Sequence, residues 1–175
     1  MVSFLGRLKH ILNETYLNII YQSVILPHFD YADIIWQSSQ NKFLDQLQKL
    51  QNRAGRIILR INPYIHTSIF QIHDILKWET LKTRRSKHMY IMMYKILHDL
   101  TPHYMQNNLV HKETNYALRN AESFVLPKPQ TNYCKRTFSY RGSKMYNDLP
   151  LNFRTPNTLT SFKNDLKEWM KGFYL

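Results

Sequence analysis

Two carboxylates that could hold catalytic metal ions lie close together near the start of the chain. Asp30 and Asp33 both fall in the stretch HFDYADIIW. Phosphoryl transfer by two metal ions needs clustered carboxylates that clamp both ions. Ile34 follows Asp33, so the adjacent second aspartate of such a site is missing, and Pro27 and Trp36 indicate a helix junction rather than a strand hairpin. We therefore expect no polymerase active site here.

Other catalytic and cofactor sites find no support in the sequence. A phosphate-binding loop needs closely spaced glycines, and the four glycines are widely separated. Metal ligands on one helix are expected three or four residues apart, whereas His66 and His73 are seven apart. Cys134, the single cysteine, cannot form an internal disulfide and has no readable base partner. We predict that the chain is not an enzyme on its own and that it uses neither a metal nor a cofactor.

The charge balance favours a polyanionic partner. The chain has 24 Lys and Arg against 12 Asp and Glu, a net charge of +12, and an isoelectric point near 9.8. RNA and DNA are the main candidates, and an anionic membrane surface or an acidic protein is a weaker alternative. No apolar run of about 18 residues is present, so no membrane span is expected. A single cysteine is typical of a reducing compartment, which indicates an intracellular protein, nuclear or cytoplasmic.

Apolar periodicity predicts a mainly α fold, a small helical bundle with a loosely structured or short-hairpin region near 103–135. Residues 1–102 are expected to form a helical bundle. Residues 103–175 are expected to add a basic irregular segment and two C-terminal helices, packed on the first part as one domain. Tyr31 and Trp36 are expected to be packing aromatics. The predicted helices cover residues 4–26, in one or two pieces and ended by Pro27, and residues 40–60, 67–76, 79–98, 136–148 and 159–172.

The predicted helix 40–60 carries two stripes. One stripe is apolar and is expected to be buried; its residues are Phe43, Leu47, Leu50, Ala54 and Ile57. The other is basic, with the helical spacing of 4, 3 and 4; its residues are Lys49, Arg53, Arg56 and Arg60. At about 100° per residue, the basic row lies about 120° round the helix from the apolar one. The basic row is the first candidate for phosphate binding, and a merely solvated helix face is the alternative.

Two further basic groups are candidate nucleic-acid contacts. The second group comprises Arg84, Arg85 and Lys87, in the first half of the predicted helix 79–98. The third falls in residues 111–145, which hold seven basic and two acidic residues, and its candidates are Lys135, Arg136, Arg141 and Lys144. Tyr133, Phe138 and Tyr140 alternate with these charges, as aromatics do in proteins that stack single-stranded bases. Buried aromatics that anchor an irregular segment are the alternative.

Five short blocks of residues follow one another along the chain between residues 16 and 170. Their characteristic residues are Pro27, Tyr31 and Trp36; Gln51, Asn52, Arg53, Ala54 and Arg56; Arg84, Arg85, Tyr94, Lys95 and Leu97; Arg136, Phe138, Asn147, Leu149 and Pro150; and Ser161, Phe162, Lys163 and Leu166. In this order the blocks resemble the segment that follows the catalytic domain in reverse transcriptases of non-LTR retrotransposons, particularly jockey-like elements. One departure is Tyr146, where such sequences usually have Trp.

The resemblance implies a thumb-like, post-catalytic helical region. In that family the block with Tyr31 and Trp36 lies downstream of the catalytic palm, so Asp33 is not a relic of the Tyr-x-Asp-Asp metal box. Palm, fingers and endonuclease are not expected in this sequence. By analogy with polymerases, a thumb grips a template–primer duplex through its backbone. The partners implied are RNA, DNA or an RNA–DNA hybrid, and a polymerase domain.

A second class of function stays open at the level of sequence. The apolar stripes could form an intermolecular face for a partner or for self-association. The chain would then be a protein-interaction or structural module, or a truncated retroelement fragment without a selected function. Such a fragment is expected to expose apolar residues at its N-terminal end, among them Phe4, Leu8, Ile11 and Leu12.

Overall fold

The computed structural model is mainly helical, which confirms the predicted fold class. It describes residues 1–62, 64–112, 123–153 and 158–172. The chain divides into two compact units, Met1–Arg85 and Ser86–Leu175. The division lies inside a helix rather than at residue 102, because the later turns of that helix supply the core of the second unit. No helix in the described part of the chain is long and apolar enough to span a bilayer.

The first unit contains six helices and the first turns of a seventh. Their bounds are α1 Val2–Leu8, α2 Glu14–Ile20, α3 Leu26–Asp30, α4 Asp33–Trp36, α5 Asn41–Ile58, α6 Ile69–Leu76 and α7 Leu81–Leu97. Helix α5 contacts α1, α2 and α6. Their inward side chains form one core, the first core cluster, which comprises Leu5, Leu17, Tyr21, Ile25, Ala54, Ile58, Ile72 and Leu76.

The prediction that Pro27 ends the first helical region is wrong. A π-helical turn, Tyr21–Ile25, joins α2 directly to α3, and Pro27 is the second residue of α3. The N–H of Leu26 bonds to the carbonyl oxygen of Tyr21, five residues back, as in a π-helix, and Pro27, which has no N–H, follows this wider turn without ending the helix. The chain turns instead at Ala32, which has a left-handed φ of 52° between α3 and α4.

The apolar stripe predicted for α5 is only partly buried. Phe43 is 54% exposed and Leu50 is 40% exposed. The buried side of α5 includes a polar residue and a glycine; its residues are Gln51, Ala54, Gly55 and Ile58. At about 100° per residue, this buried side is rotated by roughly 70° from the predicted stripe.

Two glutamines explain why the buried side of α5 contains polar groups. The buried Gln51 donates from Nε2 to the carbonyl oxygen of Glu79 over 3.0 Å. Gln48 accepts at Oε1 from the backbone N–H of Leu81, the first residue of α7, also over 3.0 Å. A helix start has N–H groups without helical partners, so these side chains fix the start of α7 against α5.

A second polar pair joins α5 to α6. Nε2 of the buried His73 lies 3.1 Å from Oδ1 of Asn52. Burial lowers the pKa of the His73 imidazole below its ordinary value. The imidazole is therefore neutral at pH 7, and its contact with the uncharged amide of Asn52 buries no charge.

Three helices of the chain end in the same way. The residue after the last turn adopts a left-handed conformation at Arg60 (φ 53°), Lys77 (φ 54°) and Asp99 (φ 56°). In each case the next N–H bonds to the carbonyl oxygen five residues back, for example Ile61 N–H to Arg56 over 3.0 Å. This is the Schellman ending, which glycine usually provides. Because Arg, Lys and Asp take the place of glycine here, no glycine marks these helix ends in the sequence.

The second unit is built on the later turns of α7, with α8 Phe138–Asn147 and α9 Leu159–Lys171. Short 3₁₀ segments lie at His103–Asn108, Cys134–Arg136 and Leu151–Phe153. The buried side of α9 comprises Phe162, Leu166 and Met170. The second core cluster comprises Tyr90, Met93, Tyr94, Ile96, Leu109, Phe124, Tyr146, Leu149, Phe162, Leu166 and Met170.

The region near 103–135 contains a short extended pairing. Val125 N–H donates to the carbonyl oxygen of Val110 over 2.7 Å, and Lys112 N–H donates to that of Ser123 over 2.9 Å. Asn147 from α8 fixes this pairing, because its Nδ2 and Oδ1 bond the carbonyl oxygen and N–H of Phe124 over 3.0 and 2.9 Å. Residues 113–122, which complete the predicted hairpin region, lie outside the described residues.

Candidate nucleic-acid interface

Helix α5 presents a row of cations to solvent. Lys49, Arg53 and Arg56 are all exposed. At about 100° per residue, the middle of this row lies about 180° round the helix from the buried side. The prediction was about 120° from the apolar stripe, which was expected to be buried. The difference arises because the buried side is centred near Gln51 and Gly55 and not on the predicted apolar stripe. The three cations therefore point directly away from the protein interior.

One exposed cation on the same face of α5 was not among the predicted residues. Lys42 is exposed and lies seven residues, about two helical turns, before Lys49. Its spacing continues the pattern and could have identified it. We call Lys42, Lys49, Arg53 and Arg56 the α5 cation row. The acidic Asp45 is also exposed on this helix, so α5 carries a net charge of +3 from four cations and one carboxylate.

Arg60 differs from the other predicted members of the row. It follows the end of α5 and adopts a left-handed φ of 53°. Its Nη2 donates to the carbonyl oxygen of Leu12 over 3.0 Å. Arg60 is exposed, but its guanidinium already ties the end of α5 to the segment between α1 and α2, so it has a structural role.

Arg84 is engaged inside the first unit. Its Nε donates to Oδ1 of Asp30 over 3.0 Å, and its Nη2 bonds to Oδ2 of the same carboxylate. This two-point pairing raises the pKa of the Arg84 guanidinium. The pair joins the end of α3 to the start of α7. It also engages Asp30, one of the two carboxylates considered and rejected above as a catalytic metal site.

Arg85 and Lys87 are also poorly placed as phosphate contacts. Arg85 is 7% exposed, and its Cζ lies 5.6 Å from the centroid of the Trp36 ring, within cation–π range. Lys87 is half-buried in the second unit. The second predicted basic group is therefore not an exposed cationic surface, because packing and ion pairing engage Arg84 and Arg85.

Replacing Arg84 by Met is expected to act on stability rather than on nucleic-acid binding. The substitution removes two hydrogen bonds to a carboxylate that is itself about one quarter exposed. We expect a loss of about 1–2 kcal/mol in the free energy of unfolding, measured by chemical denaturation. The same loss in Asp30→Asn, and no further loss in the double variant, would identify the pair as the cause. Weaker nucleic-acid binding at unchanged stability would contradict this assignment.

The aromatic residues near these carboxylates have different environments. Trp36 is half-buried and donates from Nε1 to the carbonyl oxygen of Tyr31 over 2.7 Å. Tyr31 is 80% exposed, so its predicted packing role is wrong. The left-handed turn at Ala32 directs Tyr31 outward while its backbone holds Trp36. Asp33 is buried at the start of α4.

The third basic group divides into exposed and embedded members. Lys135 and Lys144 are exposed. Arg136 is half-buried and donates from Nε to the carbonyl oxygen of Asn132 over 3.3 Å. Arg141 is half-buried on α8, and burial lowers the pKa of its guanidinium. In the second unit, the two lysines are the accessible members of this predicted group.

Many residues of the five sequence blocks contribute to folding. Gln51 and Asn52 link α5 to α7 and α6, and Asn147 holds the extended pairing at Phe124. Three apolar members, Leu149, Phe162 and Leu166, belong to the second core cluster. The blocks therefore specify how the helices pack.

Comparison of the chain with protein-family models, with curated proteins and with solved structures finds no match.

Proposed function

We propose that this chain is a non-catalytic, nucleic-acid-binding helical module that grips the backbone of RNA or of an RNA–DNA duplex. The α5 cation row is the observation that carries the proposal. Its four side chains are exposed and face away from the core that holds the helix. A long, well-anchored helix with a cationic outer side is suited to contact phosphates without rearranging.

The dimensions of the row suit several phosphates. Lys42 and Arg56 are 14 residues apart, which corresponds to about 21 Å along a helix. A single strand of a duplex has a phosphate about every 3.4 Å of axial rise, so this length covers roughly six. Lysine and arginine neutralise phosphates and release counterions, which gives a salt-dependent affinity. Backbone contacts carry no base information, so we expect binding without sequence preference.

The origin suggested for the module is a retroelement. The order of the five blocks is similar to the post-catalytic segment of non-LTR retrotransposon reverse transcriptases, and the helical fold agrees with a thumb-like region. The module would act without chemistry of its own, inside the cell, in the nucleus or the cytoplasm. RNA, DNA or an RNA–DNA hybrid would be its partner, and a polymerase domain a further one. Fold analogy alone connects it to a thumb.

Removing the row is expected to weaken binding to all nucleic acids. In the variant Lys49→Ala/Arg53→Ala/Arg56→Ala, three phosphate contacts are lost. The slope of log K against log salt for an RNA–DNA hybrid should then become less negative by about 2–3. The affinity near 0.1 M salt should fall by about tenfold or more. Fluorescence anisotropy with a labelled hybrid at four salt concentrations measures both quantities.

A variant of α9 is the matched control. Lys163→Ala/Lys167→Ala/Lys171→Ala removes the same formal charge from exposed positions of another helix, where Asp165 and Glu168 stand among the lysines. We expect a much smaller change in slope for this variant. Equal changes in both variants would show diffuse attraction by net charge rather than a binding row. No change in the α5 variant would make the row a solvated helix face.

A protein-interaction or structural module is the second candidate function, and one observation favours it. Of the 21 large hydrophobic residues that are exposed among the described ones, 15 lie in the first unit. Phe4 and Ile11 are exposed, as expected for a truncated fragment, whereas Leu8 and Leu12 are half-buried. Self-association should then rise with concentration, which sedimentation velocity measures. A monomer that binds the hybrid favours the nucleic-acid module.

A further inference from the structure

The stretch 123–147 of the second unit carries basic residues and no acidic ones. Its 25 residues include no Asp or Glu and five basic residues: Lys128, Lys135, Arg136, Arg141 and Lys144. Three of these, the lysines, are exposed. Only Glu122 and Asp148 flank the stretch in the sequence, and its five cations outnumber these two carboxylates, so the stretch attracts an anionic ligand.

Only one of the three aromatics predicted to alternate with these charges is freely accessible. Tyr133 is 65% exposed. Phe138 packs against the second core cluster, and Tyr140 is half-buried on α8. Of the three rings, that of Tyr133 is exposed enough to stack on a ligand, whereas those of Phe138 and Tyr140 are partly covered by the protein.

The backbone around Tyr133 is held in place by a set of local hydrogen bonds. The carbonyl oxygen of Tyr133 accepts from Arg136 N–H over 2.9 Å. Cys134 accepts at its carbonyl oxygen from the Thr137 hydroxyl over 2.7 Å, and its N–H donates to the Thr131 hydroxyl over 3.3 Å. We call residues 131–137 the Tyr133 turn. An ordered turn loses little backbone entropy when a ligand binds.

We propose that the Tyr133 turn is a second nucleic-acid site, which takes an unpaired base of single-stranded RNA or DNA. This inference rests on the proposed function. The base stacks on the Tyr133 ring, and Lys135 beside it and Lys144 on α8 contact the flanking phosphates. An exposed ring on a turn can reach the face of an unpaired base, whereas the base faces in a duplex are covered by their neighbours. Stacking on a protruding aromatic together with nearby cations is the usual mode of sequence-tolerant single-strand binding.

The test compares single-strand and duplex affinities of full-length variants. A labelled 12-nucleotide oligouridylate is titrated with wild type and with Tyr133→Ala, beside a labelled RNA–DNA hybrid of the same length. We expect Tyr133→Ala to lower the single-strand affinity by about 5- to 100-fold, the range found for removing one stacking aromatic. The affinity for the hybrid should change by no more than about twofold, because stacking on Tyr133 needs an unpaired base.

Two variants make the result specific. Tyr133→Phe keeps the ring and should retain the single-strand affinity. Tyr64→Ala removes a tyrosine that is 95% exposed in the first unit, and should also retain it. Because Tyr133 is exposed, all three proteins should have the same thermal unfolding by circular dichroism.

The outcomes separate this inference from the proposed function. Unchanged single-strand affinity in Tyr133→Ala, while loss of the α5 cation row still weakens hybrid binding, overturns the inference and leaves the proposed function in place. An equal loss for single strand and hybrid also overturns it. A wild-type chain that binds neither ligand overturns both.

Discussion

Replacing Trp78 by Ala should strongly destabilise the first unit. Its ring stacks on the buried Tyr21 at 3.9 Å between centroids, and its Nε1 donates to Oδ1 of Asn18 over 2.9 Å. His73 contacts the same ring edge-on at 6.2 Å. Loss of a packed Trp costs about 3–5 kcal/mol, and since Trp78 is half-buried we expect about 3 kcal/mol. For a unit of this size the melting temperature should fall by roughly 10–20 °C.

Two variants test the cause of this loss. Trp78→Phe keeps an aromatic ring against Tyr21 but removes the hydrogen bond to Asn18, so we expect a cost of about 1 kcal/mol. Trp36→Ala removes a second half-buried Trp that is in neither core cluster. Its cost should be clearly smaller than that of Trp78→Ala. Trp78 packs against the first core cluster, and equal costs for Trp36→Ala and Trp78→Ala would contradict the importance of this contact.

Burial of the Tyr21 hydroxyl raises its pKa to about 12. The phenol therefore stays neutral throughout the neutral and mildly alkaline range, and the stack with Trp78 involves no buried charge. Opening this core by Trp78→Ala should bring the pKa of Tyr21 closer to its ordinary value.

A side chain at Gly55 should also destabilise the first unit. A Cβ at this position would lie 2.6 Å from Cγ2 of the fully buried Ile72 and 3.4 Å from Leu76 and Trp78. Overpacking of this kind costs about 1–3 kcal/mol, whereas Ala is favoured over Gly in a helix by about 1 kcal/mol. We expect a net loss of up to about 2 kcal/mol for Gly55→Ala and about 3 kcal/mol for Gly55→Leu, by urea denaturation.

Gly6 provides the matched control for Gly55. It lies inside α1, and a Cβ there would meet no atom within 4 Å. Gly6→Ala should therefore stabilise by up to about 1 kcal/mol, the intrinsic helix preference. Gly55→Ala should be less harmful in an Ile72→Leu background, because leucine has no Cγ2 branch at its β-carbon. If Gly55→Ala is as favourable as Gly6→Ala, helix α5 does not approach α6 as closely as the structure shows.

Helix positions followed from the sequence because apolar spacing and turn residues are local signals. The predicted helices 67–76, 136–148 and 159–172 lie within about two residues of α6, α8 and α9. The orientation of α5 did not follow, because Gln51 is buried for its hydrogen bond to Glu79 and Gly55 for its close approach to Ile72. Both reasons depend on residues more than fifteen positions away in the chain.

The candidate site was predictable to the same limited extent. Spacing alone identified Lys49, Arg53 and Arg56 as one row, and they are exposed together. It could not separate them from Arg84, whose partner Asp30 is 54 residues away. It also could not choose Tyr133 over Phe138, since both are aromatics among basic residues and only the fold decides which ring is buried.

The most direct measurement is binding of the purified chain to a labelled RNA–DNA hybrid from 50 to 300 mM salt, by fluorescence anisotropy. If the α5 cation row grips the duplex backbone, log K should fall linearly with log salt with a slope of about −3 or steeper, since each phosphate contact contributes about −0.9. An unlabelled hybrid of different sequence should compete equally. Binding that does not depend on salt, or no binding at micromolar concentration, would contradict the account.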